Sequence, residues 1–295
     1  MVIELRRLSA NKVIYKFSRK NRTAYKVSDG ERVVVETKDA FSNLVRSSKT
    51  LFENMSMDDV NPATGPIEIE GMRTGEALCV SIEKIKCGSN GVVMCSPELG
   101  VLMNDVRRSR TKVIRIKGNK AIFSEDIEVE LNPHVGVIGV SPSRGDFSTI
   151  YPGDFGGNLD TTEVREGSRV YLPTFVDGGM VAMGDVHASM GDGEVCGTGI
   201  EVPAEVTVVL SRNRELQLER PMIETPTSWI TYAAAKTLDG AAKLATSDMV
   251  RFIMNSRGID FEEAYMLASV AANLRVSQIV DPLMAAKMEI SKRYL

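Results

Sequence analysis

Ile127-Glu-Val-Glu-Leu131 alternates apolar and acidic side chains with a period of two, which is the pattern of a strand with one buried face. The same alternation recurs along the first 220 residues, between runs of glycine, asparagine, serine and proline that favour turns. The segments that carry it are residues 12–17, 32–37, 77–82, 111–116 and 121–123. Many short strands joined by turns predict a mainly β protein built as a sandwich or a barrel.

The last quarter of the chain has a different composition. From Trp229 onwards alanine, methionine and leucine are frequent, and residues 240–254 and 261–274 have helical spacing. Gly258 is a natural stop for the first helix, and Asp260 is a natural N-cap for the second, with Glu263 three residues later. We therefore predict a β-rich body over residues 1–225, with its site at 156–201, and a helix-rich region over 226–295 packed on it.

Composition and charge exclude several function classes. The formal net charge of −3 offers no basic surface for a nucleic acid or an anionic membrane. No apolar run approaches the roughly 18 residues of a membrane-spanning helix. The four cysteines form no regular framework, and the N-terminus lacks the apolar core of a secretory signal. We expect a cytoplasmic protein with a small-molecule partner.

An acid-rich segment over residues 171–210 contains no lysine or arginine. Its charged residues and its histidine are Asp177, Asp185, His187, Asp192, Glu194, Glu201 and Glu205. Burying a carboxylate without a counter-charge costs several kcal/mol or more. Either this segment is open to water or a cation lies among the acids, and the tight glycine turns around His187 favour the cation.

The pair Asp185 and His187 suits two ligands of one metal ion. On an extended segment their side chains share a face, with Cα atoms about 7 Å apart. Imidazole with carboxylate favours zinc, whereas an all-oxygen subset of the same acids favours calcium. Glu194 is the first candidate for general base, with Asp192 beside it; the alternative for Glu194 is an acid that caps backbone amides in a glycine turn.

Four further features lie near this pair in the predicted site. The loop Gly156-Gly-Asn-Leu-Asp160 either forms another wall, with Asn158 as a candidate catalytic residue and Asp160 as a candidate metal ligand, or is a plain glycine-rich turn. Asp39 supplies an acid at the end of a strand. Cys196 is either a thiolate nucleophile or a small buried side chain, and nearby carboxylates favour the second reading because they raise a thiol pKa. The polar loop over residues 41–59 is long enough to close over a site.

These residues together resemble the acetamidase/formamidase family of metal-dependent amidases. The resemblance rests on Glu36-Thr-Lys-Asp-Ala40, Asn61-Pro-Ala-Thr-Gly-Pro66, Gly156-Gly-Asn-Leu-Asp160 and, most specifically, Gly184-Asp-Val-His187 through Gly191-Asp-Gly-Glu194 to Glu201. It implies sandwich or jelly-roll-like and barrel parts with a C-terminal α+β region, usually in a homodimer. It also implies hydrolysis of small aliphatic amides to a carboxylate and ammonia. The implied site neighbourhood comprises Asp39, Asp160, Asp185, His187, Glu194 and Glu201, and places His134 facing the site.

In the resulting scheme, a divalent ion held at Asp185 and His187 supplies a nucleophilic water and polarises the amide carbonyl, while Glu194 moves the proton. Backbone amides of the glycine turns are candidate donors to the oxyanion. Two alternatives stay open. One is another hydrolase on the same site, acting on cyclic amides or esters or using Cys196 covalently. The other is a calcium-stabilised β-sandwich binding module without chemistry.

Overall fold

The computed structural model describes residues 5–295, which form 23 strands and two α-helices. The strands are β1 Arg6–Leu8, β2 Val13–Ile14, β3 Lys16–Ser18, β4 Tyr25–Val27, β5 Glu31–Thr37, β6 Ala63–Ile69, β7 Ala77–Cys87, β8 Asn90–Cys95, β9 Arg110–Lys117, β10 Lys120–Ile122, β11 Glu128–Glu130, β12 His134–Gly139, β13 Asp146–Ser148, β14 Pro152–Gly153, β15 Gly156–Asn158, β16 Arg169–Pro173, β17 Val181–His187, β18 Glu201–Val202, β19 Ala204–Asn213, β20 Met222–Glu224, β21 Ser228–Ala235, β22 Ala272–Gln278 and β23 Met284–Ser291. The helices are α1 Leu238–Arg257 and α2 Phe261–Ala271, and short 3-10 turns cover Phe52–Asn54, Met57–Asp59, Met103–Asp105 and Lys292–Tyr294.

Two large sheets account for most of the strands. The nine-stranded sheet has the order β1-β5-β19-β7-β16-β20-β21-β23-β22, and the main path of the other is β11-β10-β9-β8-β18-β17-β12-β15-β14. Alternation builds them as predicted: in β19, Val206, Val208 and Leu210 are buried while the residues between them are half-buried. One hydrophobic cluster contains side chains of both sheets, including Val33 and Val208 from the first and Val137 and Val186 from the second.

The mainly β prediction is confirmed, and each predicted strand segment contains a strand within a few residues of its bounds. The barrel part of the prediction is not seen, because neither large sheet closes on itself within residues 5–295. The reason lies in long-range pairing, which local alternation does not specify. Strands β1 and β22 end the nine-stranded sheet as unpaired edges of the described region.

The C-terminal region adds both helices and strands. Helix α1 begins after Thr237, whose hydroxyl accepts from the Gly240 amide, and ends at Gly258 with φ of 66°. Asp260 caps α2 by accepting from the Glu263 amide, as predicted. The predicted extension of the second helix to residue 274 is wrong: α2 ends at Ala271 because the chain continues as β22, which pairs with β23.

The two-part division at residue 225 stays a prediction. Strand β21 pairs with β20 on one side and β23 on the other, so the nine-stranded sheet runs across that boundary. The alanine and methionine side chains of α1 pack against the sheet as ordinary core. They share one cluster, which contains Met249 and Ile253 of α1 and Met288 of β23. Neither helix in residues 5–295 combines the length and apolarity of a membrane-spanning helix.

Strand β17 positions the site. All seven of its residues are buried, and it pairs with β12 along one edge and with β18 and β6 along the other. The register places His134 opposite His187 across β12 and β17, and Glu201 opposite His187 across β18 and β17. Residues far apart in sequence therefore meet at the C-terminal end of this strand.

Candidate metal centre

His187 lies at the centre of a group of four buried carboxylates. Its Nε2 atom is 3.2 Å from Glu201 Oε2, 3.6 Å from Asp185 Oδ1, 3.9 Å from Asp160 Oδ1 and 4.0 Å from Glu194 Oε1. The predicted ligands Asp160, Asp185, His187 and Glu201 are thus brought together, with Glu194 beside them. We call these five residues the acid cluster.

A second histidine, His134, is hydrogen-bonded to His187. His134 is fully buried, and its Nδ1 is 2.8 Å from the Asn132 carbonyl oxygen, so Nδ1–H is the donor. Its Nε2 is then free to accept from His187 Nδ1 at 3.1 Å. With its Nδ1 used in this way, neutral His187 presents the Nε2 lone pair to the carboxylates, which is the orientation that a metal-binding imidazole needs.

Burial and mutual repulsion disfavour the charged form of three of the acids, whereas for Asp185 burial is outweighed by the neighbouring His187, which lowers the pKa. Burial, with the Asp185 charge, raises the pKa of Asp160 to about 7 and that of Glu201 to about 8. Burial, with the Asp160 charge, raises the pKa of Glu194 well above its usual range. For His187, burial opposes protonation, but Glu201 and Asp185 outweigh it and raise the imidazole pKa well above its ordinary value. One imidazole cannot balance so many acids.

The cluster also lacks hydrogen-bond donors. Within residues 5–295, four carboxylate oxygens are buried with no hydrogen-bond partner: both oxygens of Asp160, Asp185 Oδ1 and Glu201 Oε2. Buried oxygens of this kind cost about 1–3 kcal/mol each, and more when charged, unless something pairs with them. Two triads, Asp160 with Asp185 and His187, and His187 with Glu194 and Glu201, have ligand atoms close enough together to share an ion. The donor set therefore fits a divalent cation.

The backbone at the cluster is held in an uncommon conformation. Asp160, Asp185 and Glu194 have φ of 41°, 52° and 47°, and Asn61 next to them has φ of 52°. A positive φ costs a non-glycine residue of the order of 1–3 kcal/mol and persists only when its surroundings enforce it. Asp185 takes this conformation inside β17, so the side chains of Asp185 and His187 converge through a local distortion of the strand and not through regular strand geometry.

Gly136 leaves room for the acids. A Cβ at this position would lie 2.6 Å from Asp160 Oδ1, 2.7 Å from the Asp185 carbonyl oxygen and 2.9 Å from Asp185 Oδ2. Any larger residue on β12 would therefore push into the space where these carboxylates converge.

A cavity of about 460 Å³ opens onto the cluster. Its polar wall includes Asn61, Asn158, Asp185, Glu194, Glu201 and Asp281. Its apolar wall includes Phe41, Phe52, Met57, Val60, Leu99 and Ile150. The loop over residues 41–59 thus lines this cavity, as its length and position predicted.

The other predicted site residues lie outside the acid cluster. Asp39 Oδ1 accepts from the Phe41 and Asn43 amides at 3.0 and 2.7 Å, so that this carboxylate caps a turn, although it lies close enough to Asp185 to feel its charge. The Cys196 thiol is directed at the carbonyl oxygens of Met94 and Thr198, at 3.6 and 3.5 Å.

Asp192 is held by cations from elsewhere in the chain. Its Oδ1 lies 2.7 Å from Lys287 Nζ and its Oδ2 lies 2.5 Å from Arg275 Nη2. Asp177 pairs with Arg73 in the same way. Asp177 and Asp192 therefore lack cations nearby in the sequence but have them in the folded protein. Asp185, Glu194 and Glu201 of the same segment, and Asp160 upstream of it, lack them in the fold as well, since none forms an ion pair with a lysine or arginine of the described chain.

The sequence profile of the acetamidase/formamidase family matches residues 16–148 and 145–291. The chain belongs to this family. An acetamidase from Bacillus halodurans is 38% identical with a TM-score of 0.96 over 98% of both chains. A predicted acetamidase/formamidase from Thermoanaerobacter tengcongensis is 39% identical with a TM-score of 0.94, over 97% of this chain and 95% of that one. The family resemblance inferred from the sequence is thereby confirmed.

Similarity to one curated relative of the family is higher but more local. A formamidase from Methylophilus methylotrophus is 51% identical over 51 residues, which are 17% of this chain and 12% of that protein. The chain thus spans well under two thirds of the length of this relative.

Sequence reasoning gave no role to Asn61 or Asp281. Asn61 Nδ2 donates to Asp185 Oδ2 at 3.1 Å and to Asn158 Oδ1 at 3.3 Å, and Asn158 Nδ2 donates to Asp281 Oδ2 at 2.8 Å. Burial, with the Asp160 charge, raises the Asp281 pKa well above its usual range. Asn61 stands in a segment that carried the resemblance, which was a usable signal. Asp281 stands alone before Pro282, and nothing in its sequence neighbourhood marks it.

Proposed function

We propose that this protein hydrolyses small linear amides of the formamide and acetamide type to a carboxylate and ammonia, with a divalent cation bound in the acid cluster. The single observation that carries the proposal is the set of four buried carboxylates within 4.0 Å of His187 Nε2, none of which pairs with a lysine or arginine of the described chain. Membership of the acetamidase/formamidase family supports the choice of reaction.

The donor set favours zinc over calcium. Zinc accepts imidazole nitrogen and carboxylate oxygen together, whereas calcium takes oxygen ligands alone. His187 with Asp160, Asp185 and Glu201 would hold the ion, because their partnerless oxygens converge on the imidazole. Asp39 and Asp192 are left out of the proposed ligand and catalytic sets, since hydrogen bonds and ion pairs occupy them elsewhere. When bound, the ion supplies charge that stabilises the developing oxyanion and favours ionisation of water.

Glu194 is the proposed proton carrier. It lines the cavity, and its Oε1 lies 4.0 Å from His187 Nε2, beside the proposed ligands. A carboxylate in this position accepts a proton from the attacking water and returns it to the leaving nitrogen. The C–N bond then breaks as ammonia departs.

The hydrogen-bonded chain of Asn61, Asn158 and Asp281 is proposed to orient the cluster and the substrate. Asn61 fixes the outer oxygen of Asp185, and Asn158 links it to Asp281 at the cavity wall. The glycine-turn amides expected as oxyanion donors are less suitable, because the Gly193 and Gly197 amides already bond Ser277 and Glu194 carbonyl oxygens. The apolar wall with Phe41, Phe52 and Leu99 would keep water away from the reacting carbonyl.

The test measures ammonia release from formamide and acetamide by the purified, metal-loaded protein. We expect turnover that is lost on chelation and restored by zinc. Glu194→Gln should retain zinc and lose about 100- to 10,000-fold in kcat, which is the usual contribution of a general base. Full activity of chelated protein, verified as metal-free by elemental analysis, would contradict the proposal.

The same preparation distinguishes the alternatives. A calcium-stabilised binding module would release no ammonia from any amide. A lactam or ester hydrolase would turn over those substrates and not acetamide. A cysteine enzyme would be inactivated by thiol alkylation, whereas the proposed mechanism survives it because the Cys196 thiol faces the β8 carbonyls.

We also propose a homodimer in the cytoplasm. The dimer rests on the family resemblance, and sedimentation velocity of the purified protein tests it. The compartment is supported by the four cysteines, which are all free thiols.

A further inference from the structure

A lysine is fully buried beside the acid cluster. Lys287 lies in β23, and its side chain is 1% exposed. Its Nζ atom lies 2.6 Å from Glu163 Oε2, 2.7 Å from Asp192 Oδ1 and 3.3 Å from Thr162 Oγ1. A buried ammonium persists only where hydrogen-bonded acids compensate for its lost hydration, and these two acids do so here.

Arg275 of β22 binds the same two acids through their other oxygens. Its Nη1 is 2.9 Å from Glu163 Oε1 and its Nη2 is 2.5 Å from Asp192 Oδ2. Each acid therefore bridges the two cations, which closes a ring of four charged side chains. We call Lys287, Arg275, Glu163 and Asp192 the charge ring.

The two acids of the ring come from the turns that present the acid cluster. Glu163 follows Asp160 by three residues, and Asp192 precedes Glu194 by two. Ser277 of β22 also connects the two turns. Its hydroxyl donates to the Asp160 carbonyl at 3.0 Å, and its carbonyl accepts from the Gly193 amide at 2.7 Å.

Hydrogen bonds and ion pairs thus hold both turns against β22 and β23. In both turns the residue of the acid cluster has a positive φ, of 41° at Asp160 and 47° at Glu194. A conformation of this kind depends on external support. The charge ring provides that support from the side chains, and Lys287 is its most buried member, with no solvent to replace a lost partner.

We propose that Lys287 is a positioning residue of the metal centre: its ammonium draws Glu163 and Asp192 together and so sets the separation of the turns that carry Asp160 and Glu194. The proposal deepens the proposed function and rests on it for the meaning of the site. Lys287 forms no hydrogen bond or ion pair with the acid cluster in the described structure and acts through the two turns. The prediction that Asp192 is a catalytic residue is replaced by this indirect role.

The experiment compares Lys287→Met, which keeps the length of the side chain and removes its charge, with Arg212→Met. Arg212 forms a similarly covered ion pair with Glu76, at 2.7 Å and with side chains 14% and 15% exposed, but neither residue lines the cavity. Zinc affinity is measured by competition with a chromophoric chelator, and thermal unfolding and kcat/KM are measured on the same samples. We expect Lys287→Met to bind zinc about 10- to 100-fold more weakly, the loss typical of side chains that orient ligands. Arg212→Met should lose thermal stability and keep its zinc affinity.

The idea is wrong if folded Lys287→Met binds zinc as tightly as the parent protein, or if both variants lose the same affinity. If Lys287→Met does not fold, Asp192→Asn breaks the same link with less change in shape, and the same criterion applies to it. Zinc affinity is measured without substrate. A parent protein that binds zinc but releases no ammonia would therefore contradict the proposed function. The zinc affinity of the Lys287 variant would still test the proposed role of Lys287.

Discussion

Replacing Gly136 by alanine tests whether the acids must converge as closely as the structure has them. The added Cβ would lie 2.6 Å from Asp160 Oδ1, and ordinary contact begins at 3.4 Å, so that oxygen has to move by about 0.8 Å. The Asp185 carbonyl oxygen, 2.7 Å away in the backbone of β17, also has to give way. The side chain of Asp160 is the easier group to displace.

A displacement of this size is large for a catalytic centre. Misplacing a reacting group by about 1 Å costs about 100-fold in rate, and we expect a loss of that order in kcat/KM for acetamide. Overpacking should also lower the free energy of unfolding by about 1–3 kcal/mol. Steady-state ammonia release, zinc content and urea unfolding measure the three quantities on one preparation.

Gly139→Ala is the matched control. It lies on the same strand, and its Cβ would clash with backbone at 2.5 Å from the Gly157 amide nitrogen, but it approaches no acid of the cluster. It should lose a similar unfolding free energy with little loss of kcat/KM. Equal activity and zinc content in the two variants would refute the claim that Gly136 protects the geometry of the acids.

Two other predictions concern the surroundings of the cluster, and a third concerns the Arg212–Glu76 ion pair away from it. His134→Leu removes the acceptor of His187 Nδ1 and should weaken zinc binding about 10- to 100-fold by chelator competition, with partial recovery in His134→Gln. Asp39→Asn keeps the oxygen that caps its turn, so zinc content should match the parent protein; metal loss would return Asp39 to the ligand set. The hydrogen bond from Arg212 lowers the Glu76 pKa from 4.5 to about 2, so this pair stabilises the fold fully above pH 4.5 and loses its effect as pH falls towards 2. Glu76→Gln should therefore lose less unfolding free energy across that window in acid titrations followed by circular dichroism, and an unchanged slope would contradict the assignment.

The strands and helix ends follow from local rules. Alternation located the strand of residues 31–37, and cap chemistry located Gly258 at the end of the first helix and Asp260 at the start of the second, because each feature depends on a few neighbouring residues. The sheet order could not be obtained in this way. The pairing of β5 with β19, for example, joins residues about 170 positions apart, and nothing in either strand names its partner.

The core of the site was predictable because its acids stand in one segment without cations. Asp185, His187, Glu194 and Glu201 meet as that segment suggested. The ion pairs of Asp192 could not be predicted from that segment, because its neutralising cations come from β22 and β23, about 80 and 95 residues later. Lys287 stands in a run of apolar residues, Met284-Ala-Ala-Lys-Met-Glu-Ile290, and a lysine there is a signal of a buried ion pair.

The central claim is that a divalent cation neutralises the carboxylates around His187. Anomalous difference maps collected above and below the zinc absorption edge, from crystals grown with zinc, test it most directly. We expect a peak bonded to His187 Nε2 and to carboxylates of the acid cluster, present only above the edge. A map without that peak, in which lysine or arginine side chains pair with these carboxylates, would contradict it.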